Sequence, residues 1–83
     1  MRPHEAKARD VMEMARDALR FPGLFEGAEL RRAVAASAER LHALGAEEDV
    51  VRGLRAELRT LPAHAPATDV AKLALRHLQR LIR

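Results

Sequence analysis

Leucine and valine, with one serine, recur every three or four positions between residues 28 and 45 of this chain. Positions three and four apart share one face of an α-helix, so the spacing predicts a helix over residues 28–44. Gly45 follows, and glycine readily takes the left-handed conformation that closes many helices. Leu41 and Ala46 are placed for the apolar contact of such an ending. We expect this helix to touch every other element. Its apolar face is Leu30, Val34, Ser37, Leu41 and Leu44.

Three other stretches repeat this periodicity, over residues 4–20, 47–60 and 69–83. The last has an unusually wide apolar arc, which predicts either a central position in the fold or a seam between two copies. We expect Thr68 or Asp69 to cap it. Together the stretches predict an all-α protein, a small four-helix bundle over residues 1–83 as a single domain, which homo-oligomerisation could complete.

Composition narrows the classes of protein. The chain has 83 residues, of which 48% are hydrophobic, so it can form a small folded core and is not disordered. It contains no cysteine, which excludes disulfides and thiolate chemistry and fits a reducing compartment. No apolar run reaches the roughly 20 residues that span a bilayer, and no signal peptide is evident at the N-terminus. We therefore expect a cytoplasmic protein that does not bind membranes.

The segment FPGLF, residues 21–25, interrupts the helical pattern and contains both aromatic residues of the chain. Pro22-Gly23 is a strong turn signal, and the residue before a proline avoids helical geometry. A thin core needs its few large side chains, so we expect Phe21, Leu24 and Phe25 to fold back over one end of the bundle. The alternative is an exposed loop that contacts a protein partner.

Two stripes of basic residues follow the third and fourth predicted helices. If they combine into one patch, they would neutralise phosphates of a nucleic acid; otherwise they are solvated helix faces. No aromatic residue interleaves with them, so a platform for stacking bases is missing. The formal net charge of +3 is ordinary for a domain of this size. The stripes are Arg52, Arg55 and Arg59, and Lys72, Arg76, Arg80 and Arg83.

The sequence gives little support for sequence-specific DNA binding, metal binding or catalysis. Residues 40–55 loosely match the spacing of a helix-turn-helix, but Glu47, Glu48 and Asp49 would open its recognition helix and repel DNA. The four histidines show no metal-binding spacing, and His77 is expected to be a hydrogen-bonded residue at the edge of the core. No nucleotide-binding glycine motif and no paired acid and base occur. We expect no enzymatic activity, cofactor, metal or small-molecule substrate.

The sequence leaves two hypotheses of function. The first is a non-enzymatic interaction module, a regulatory adaptor, small subunit or inhibitor, that binds a protein partner or a second copy of itself. Its contacts would come from the FPGLF loop and from exposed helix faces. The second is a small basic protein that binds nucleic-acid phosphates through the two stripes. The protein-binding residues predicted under the first hypothesis are Phe21, Leu24, Phe25, Leu75 and Ile82.

Overall fold

Four α-helices and a final 3₁₀ turn account for most of the residues that the computed structural model describes, which are 2–82. The described residues form no β-strand, and the predicted all-α four-helix bundle is confirmed. The bundle measures 32 × 23 × 17 Å. The elements are α1 (Pro3–Arg20), α2 (Gly27–Ala43), α3 (Glu48–Thr60), α4 (Ala67–Leu78) and the 3₁₀ turn (Gln79–Leu81).

The end of α2 follows the predicted glycine motif. Gly45 has a φ of +92°, a backbone conformation that side chains with a Cβ rarely adopt. The N–H of Ala46 donates to the carbonyl of Leu41 at 3.0 Å, and the N–H of Gly45 donates to that of His42 at 3.1 Å. These are the two hydrogen bonds of a Schellman ending, and Leu41 and Ala46 are both buried as expected.

The start of α4 differs from the prediction. Neither Thr68 nor Asp69 caps the helix, which begins earlier, at Ala67, after Pro66 and without a side-chain cap. The Pro66 carbonyl accepts the N–H groups of Asp69 and Val70, so backbone alone initiates the helix. The α-helix also ends at Leu78 rather than continuing to residue 83, because the chain tightens into the 3₁₀ turn.

Helix α4 is central to the bundle, because it packs against α1, α2 and α3. These three contacts within one chain account for the wide apolar arc of α4, so a second copy of the chain is not needed to cover it. Helix α2 likewise contacts the three other helices, as predicted. The core is almost entirely aliphatic, with Leu30, Leu41, Leu54 and Leu78 as its largest fully buried side chains.

Two glycines allow close approaches between elements. A Cβ added at Gly53 of α3 would lie 3.2 Å from Cε1 of His77 on α4, so the two helices cross closely at this glycine. A Cβ added at Gly27 would overlap the backbone carbonyl of Ala65. The start of α2 therefore rests directly on the connection between α3 and α4, so the FPGLF loop and this connection lie at the same end of the bundle.

Candidate functional site

The FPGLF loop forms a tight turn after α1. The N–H of Leu24 donates to the carbonyl of Phe21 at 2.9 Å, with Pro22 and Gly23 between them. In such a turn the first and fourth Cα atoms lie less than about 7 Å apart, so Phe21 and Leu24 are neighbours in space. Phe25 is half-buried and packs against the core, which anchors the loop.

Contrary to the prediction, Phe21 and Leu24 of the loop do not cover the core. The side chains of Phe21 and Leu24 are 56% and 55% exposed, and they are the exposed large hydrophobic residues of the part of the chain that the structure describes. This end of the bundle is closed instead by the α3–α4 connection, where Ala65 and Ala67 are buried. Gly27 lies against that connection, so the core closes without Phe21 and Leu24.

The structure separates the other two predicted protein-binding residues from this loop. Leu75 and Ile82 are half-buried and pack against the edge of the core. Ile82 follows the 3₁₀ turn, at the opposite end of α4 from the contact between Ala65 and Gly27. The FPGLF loop therefore offers Phe21 and Leu24 as a local apolar pair, without help from α4.

The arginines of α3 border a groove that runs between α2 and α3, which we call the α2–α3 groove. Near the α2–α3 connection it has a concavity of about 390 Å³, and toward the FPGLF end one of about 290 Å³. Arg55 and Arg59 line both concavities, so the groove is continuous. Its lining residues are Arg31, Ala35, His42, Glu48, Val51, Arg52, Arg55, Leu58 and Arg59.

Nearby carboxylates neutralise the positive charge of some arginines in the groove but not of others. Arg52 lies 3.0 Å from Glu48 and 3.9 Å from Asp49, and Arg55 lies 3.5 Å from Glu39. Arg59 forms no ion pair with any residue in the described range 2–82. Positive charge is therefore least compensated at the end nearest the FPGLF loop.

The two predicted basic stripes do not share one surface. Arg76 of α4 pairs with Glu57 of α3, whereas Arg55 and Arg59 border the groove with α2. Glu57 is two residues from each of these arginines, and positions two apart are separated by about 200° around a helix axis. The α4 stripe is thus on the other side of α3. Its Lys72 and Arg80 are exposed, and Arg83 lies outside the described residues.

A polar cluster sits where α3 crosses α4. Nε2 of His77 lies 2.9 Å from Oε1 of Glu57, and Arg76 pairs with the other carboxylate oxygen. The hydrogen bond from His77 and then the nearby Arg76 charge lower the pKa of Glu57, outweighing the opposite effect of its partial burial. His77 is buried and hydrogen-bonded at the core edge, as expected.

Sequence reasoning missed two contributors to these surfaces, Arg31 and Glu57. Arg31 belongs to no arginine stripe on its own helix; it reaches the groove only because α2 and α3 pack side by side. Glu57 has a weak signal, since it lies one turn after Gly53 on the face that approaches α4.

No group of three or more His, Asp or Glu side chains within residues 2–82 is placed to hold a metal ion. None of the helices within those residues combines the length and the apolar character that spanning a bilayer requires. Comparisons of the chain with protein-family models, with curated proteins and with solved structures find no match.

Proposed function

We propose that this protein is a non-enzymatic interaction module, acting as a regulatory adaptor, small subunit or inhibitor, that binds a protein partner through the FPGLF loop. The observation that carries the proposal is the exposure of Phe21 and Leu24 beside each other on one turn. Large apolar side chains that a small domain leaves outside its core favour a protein contact, and aromatic residues dominate the energy of many such contacts.

The loop is also built to keep its shape before a partner arrives. The hydrogen bond between Leu24 and Phe21 closes the turn, and Pro22 restricts its backbone. Phe25 packs against the core and ties the loop to the bundle. A contact surface that is ordered in advance loses less conformational entropy on binding, which favours affinity.

Binding to nucleic acid is the second candidate, and unpaired positive charge at Arg59 together with exposed Lys72 and Arg80 favours it. It has weaker support than the first candidate for two reasons. The basic stripes are on different sides of α3, and Arg52, Arg55 and Arg76 already face carboxylates of this chain. Phosphates would have to compete with those carboxylates.

Self-association is a version of the same proposal, in which the apolar pair of one copy meets a second copy. The proposal also includes a cytoplasmic location, which the absence of cysteine favours. Neither an active site nor a cofactor forms part of it.

Photo-crosslinking in cells that naturally express the chain tests the proposal. Benzoylphenylalanine replaces Phe21 in one variant and Arg9, an exposed residue of α1, in the control variant. We expect a discrete protein adduct from position 21, none from position 9, and loss of the adduct when Leu24→Ser is added. An adduct with a second copy of the chain would identify self-association.

Two results would overturn the proposal. One is the absence of a discrete adduct from position 21, or the same adducts from both positions. The other is an adduct that nuclease removes, which would transfer the support to the nucleic-acid candidate.

A further inference from the structure

Three arginines from two helices line the concavity of the α2–α3 groove that lies nearest the FPGLF loop. Arg55 and Arg59 come from α3, and Arg31 comes from α2. Arg31 donates a hydrogen bond to the carbonyl of Pro62 at 2.5 Å, which holds it at this end of the groove. The fold therefore brings three arginines together around a concavity of about 290 Å³.

Nearby carboxylates leave this charge only partly compensated. Arg55 shares a single carboxylate, Glu39, at 3.5 Å, and neither Arg31 nor Arg59 has an ion-pair partner among residues 2–82. Like charges held close together repel each other, and an anion between them relieves that repulsion. The end of the groove nearest the FPGLF loop is thus electrostatically suited to an anionic group.

The same concavity has an apolar part. Its lining includes the exposed Ala35 of α2 and the edge of Leu58 of α3, a side chain that is 4% exposed. A ligand that matches both features carries negative charge next to an apolar group. Acidic side chains one turn from a leucine or alanine on a helix have this arrangement.

A nucleic acid matches the groove less well. A strand along its full length would pass Glu48 and Asp49 at the end near the α2–α3 connection, and these carboxylates would repel its phosphates. The described residues of the groove include no Phe, Tyr or Trp on which bases could stack.

We propose that the FPGLF-proximal end of the α2–α3 groove binds an acidic, amphipathic helical segment of a protein partner. Its carboxylates would pair with Arg31, Arg55 and Arg59, and its apolar side chains would contact Ala35 and Leu58, in the manner of a helix laid in a groove. This inference rests on the proposed function in that the partner is a protein. It adds a second contact at the same end of the bundle as Phe21 and Leu24.

Fluorescence anisotropy with three labelled probes tests the inference. The first probe is a peptide of Glu-Leu-Ala-Glu repeats about 16 residues long, the second has glutamine for every glutamate, and the third is an oligothymidine of similar length. The protein is used as wild type, as Arg55→Gln with Arg59→Gln, and as Lys72→Gln with Arg80→Gln. The last variant is the matched control, because it removes the same charge from exposed positions on α4.

We expect the acidic peptide to bind wild-type protein saturably and the glutamine peptide not to bind. The Arg55/Arg59 variant should raise the dissociation constant by about tenfold or more, and the control variant by less than about twofold. Circular dichroism checks that each variant is folded; if the double variant is not, Arg59→Gln alone takes its place, since Arg59 has no ion pair to lose within the described residues.

No saturable binding of the acidic peptide, equal weakening by both variants, or tighter binding of the oligothymidine would overturn the inference. Because no native partner is present, the result is independent of the crosslink at position 21. Failure of the loop proposal and failure of the groove proposal are therefore distinguishable.

Discussion

At the scale of single residues, Gly45 and Gly23 offer a matched test of backbone conformation. Gly45 has a φ of +92°, whereas Gly23 does not have a positive φ, and neither glycine has an atom near the position of an added Cβ. We expect Gly45→Ala to lower the free energy of unfolding by about 1–2 kcal/mol, because alanine is strained at positive φ. Gly23→Ala should change it by less than about 1 kcal/mol. Urea titration measures both, and equal effects would contradict a left-handed Gly45.

The cluster of Glu57, His77 and Arg76 predicts how stability depends on pH. The pKa of Glu57 is lowered from its ordinary value of 4.5, so the folded state prefers the ionised carboxylate. A group of this kind stabilises the fold at pH above its unfolded pKa, and the contribution is lost as the pH falls through the folded pKa. We therefore expect Glu57→Gln to lower the free energy of unfolding near neutral pH. This difference from wild type should shrink as the pH falls below 4.5.

Urea titrations from pH 7 to about pH 3 measure the effect, since urea, unlike guanidinium chloride, does not screen charges. The control is Glu13→Gln, which removes an exposed carboxylate of α1 that forms no ion pair within residues 2–82. A difference between wild type and Glu57→Gln that stays constant over this pH range would rule out the contribution of the carboxylate charge.

At the scale of elements, the start of α2 depends on its contact with the α3–α4 connection. A Cβ at Gly27 would overlap the Ala65 carbonyl, which is backbone and cannot rotate away. We expect Gly27→Ala to destabilise the protein by about 1–3 kcal/mol, although alanine favours helices. Gly53→Ala is the control, because its Cβ would meet the His77 ring at 3.2 Å, a contact that needs a shift of only a few tenths of an ångström in a side chain. If Gly53→Ala proved the more damaging in urea titrations, the close contact at Gly27 would be wrong.

The four helices and their buried faces were predictable, because the spacing of apolar residues indicates which side of a helix is buried. The start of α4 was not, since the Pro66 carbonyl initiates it and leaves no side-chain signature at Thr68 or Asp69. The α3 side of the α2–α3 groove was predictable from the sequence, and the α2 side was not. Spacing placed Arg55 and Arg59 on one face, but only the packing of α2 beside α3 adds Arg31.

The position of the FPGLF loop was mispredicted for a similar reason. Periodicity says which residues of a helix are buried, but not which loop covers the end of a bundle. Here the connection with Ala65 and Ala67 occupies that place, and Phe21 and Leu24 remain outside.

At the scale of the whole molecule, stability depends on residues other than Phe21 and Leu24, the exposed pair that we propose to bind a partner. An 83-residue domain has a thin core, so each large buried side chain contributes much of its stability. Central α4 and the leucines around it supply that core, whereas the exposed apolar pair contributes little to it. We therefore expect substitutions in the pair to leave the bundle intact and, under the proposed function, to weaken association.

The same substitution at two leucines tests this separation. Leu54 is 1% exposed and Leu24 is 55% exposed. We expect Leu54→Ala to lower the free energy of unfolding by about 2–5 kcal/mol, because a buried leucine leaves a cavity. Leu24→Ala should change it by less than about 0.5 kcal/mol. Each kcal/mol shifts the melting temperature of a domain this size by about 4–8 °C, so thermal unfolding followed by circular dichroism resolves the two. A comparable loss at Leu24 would mean that the loop covers the core after all.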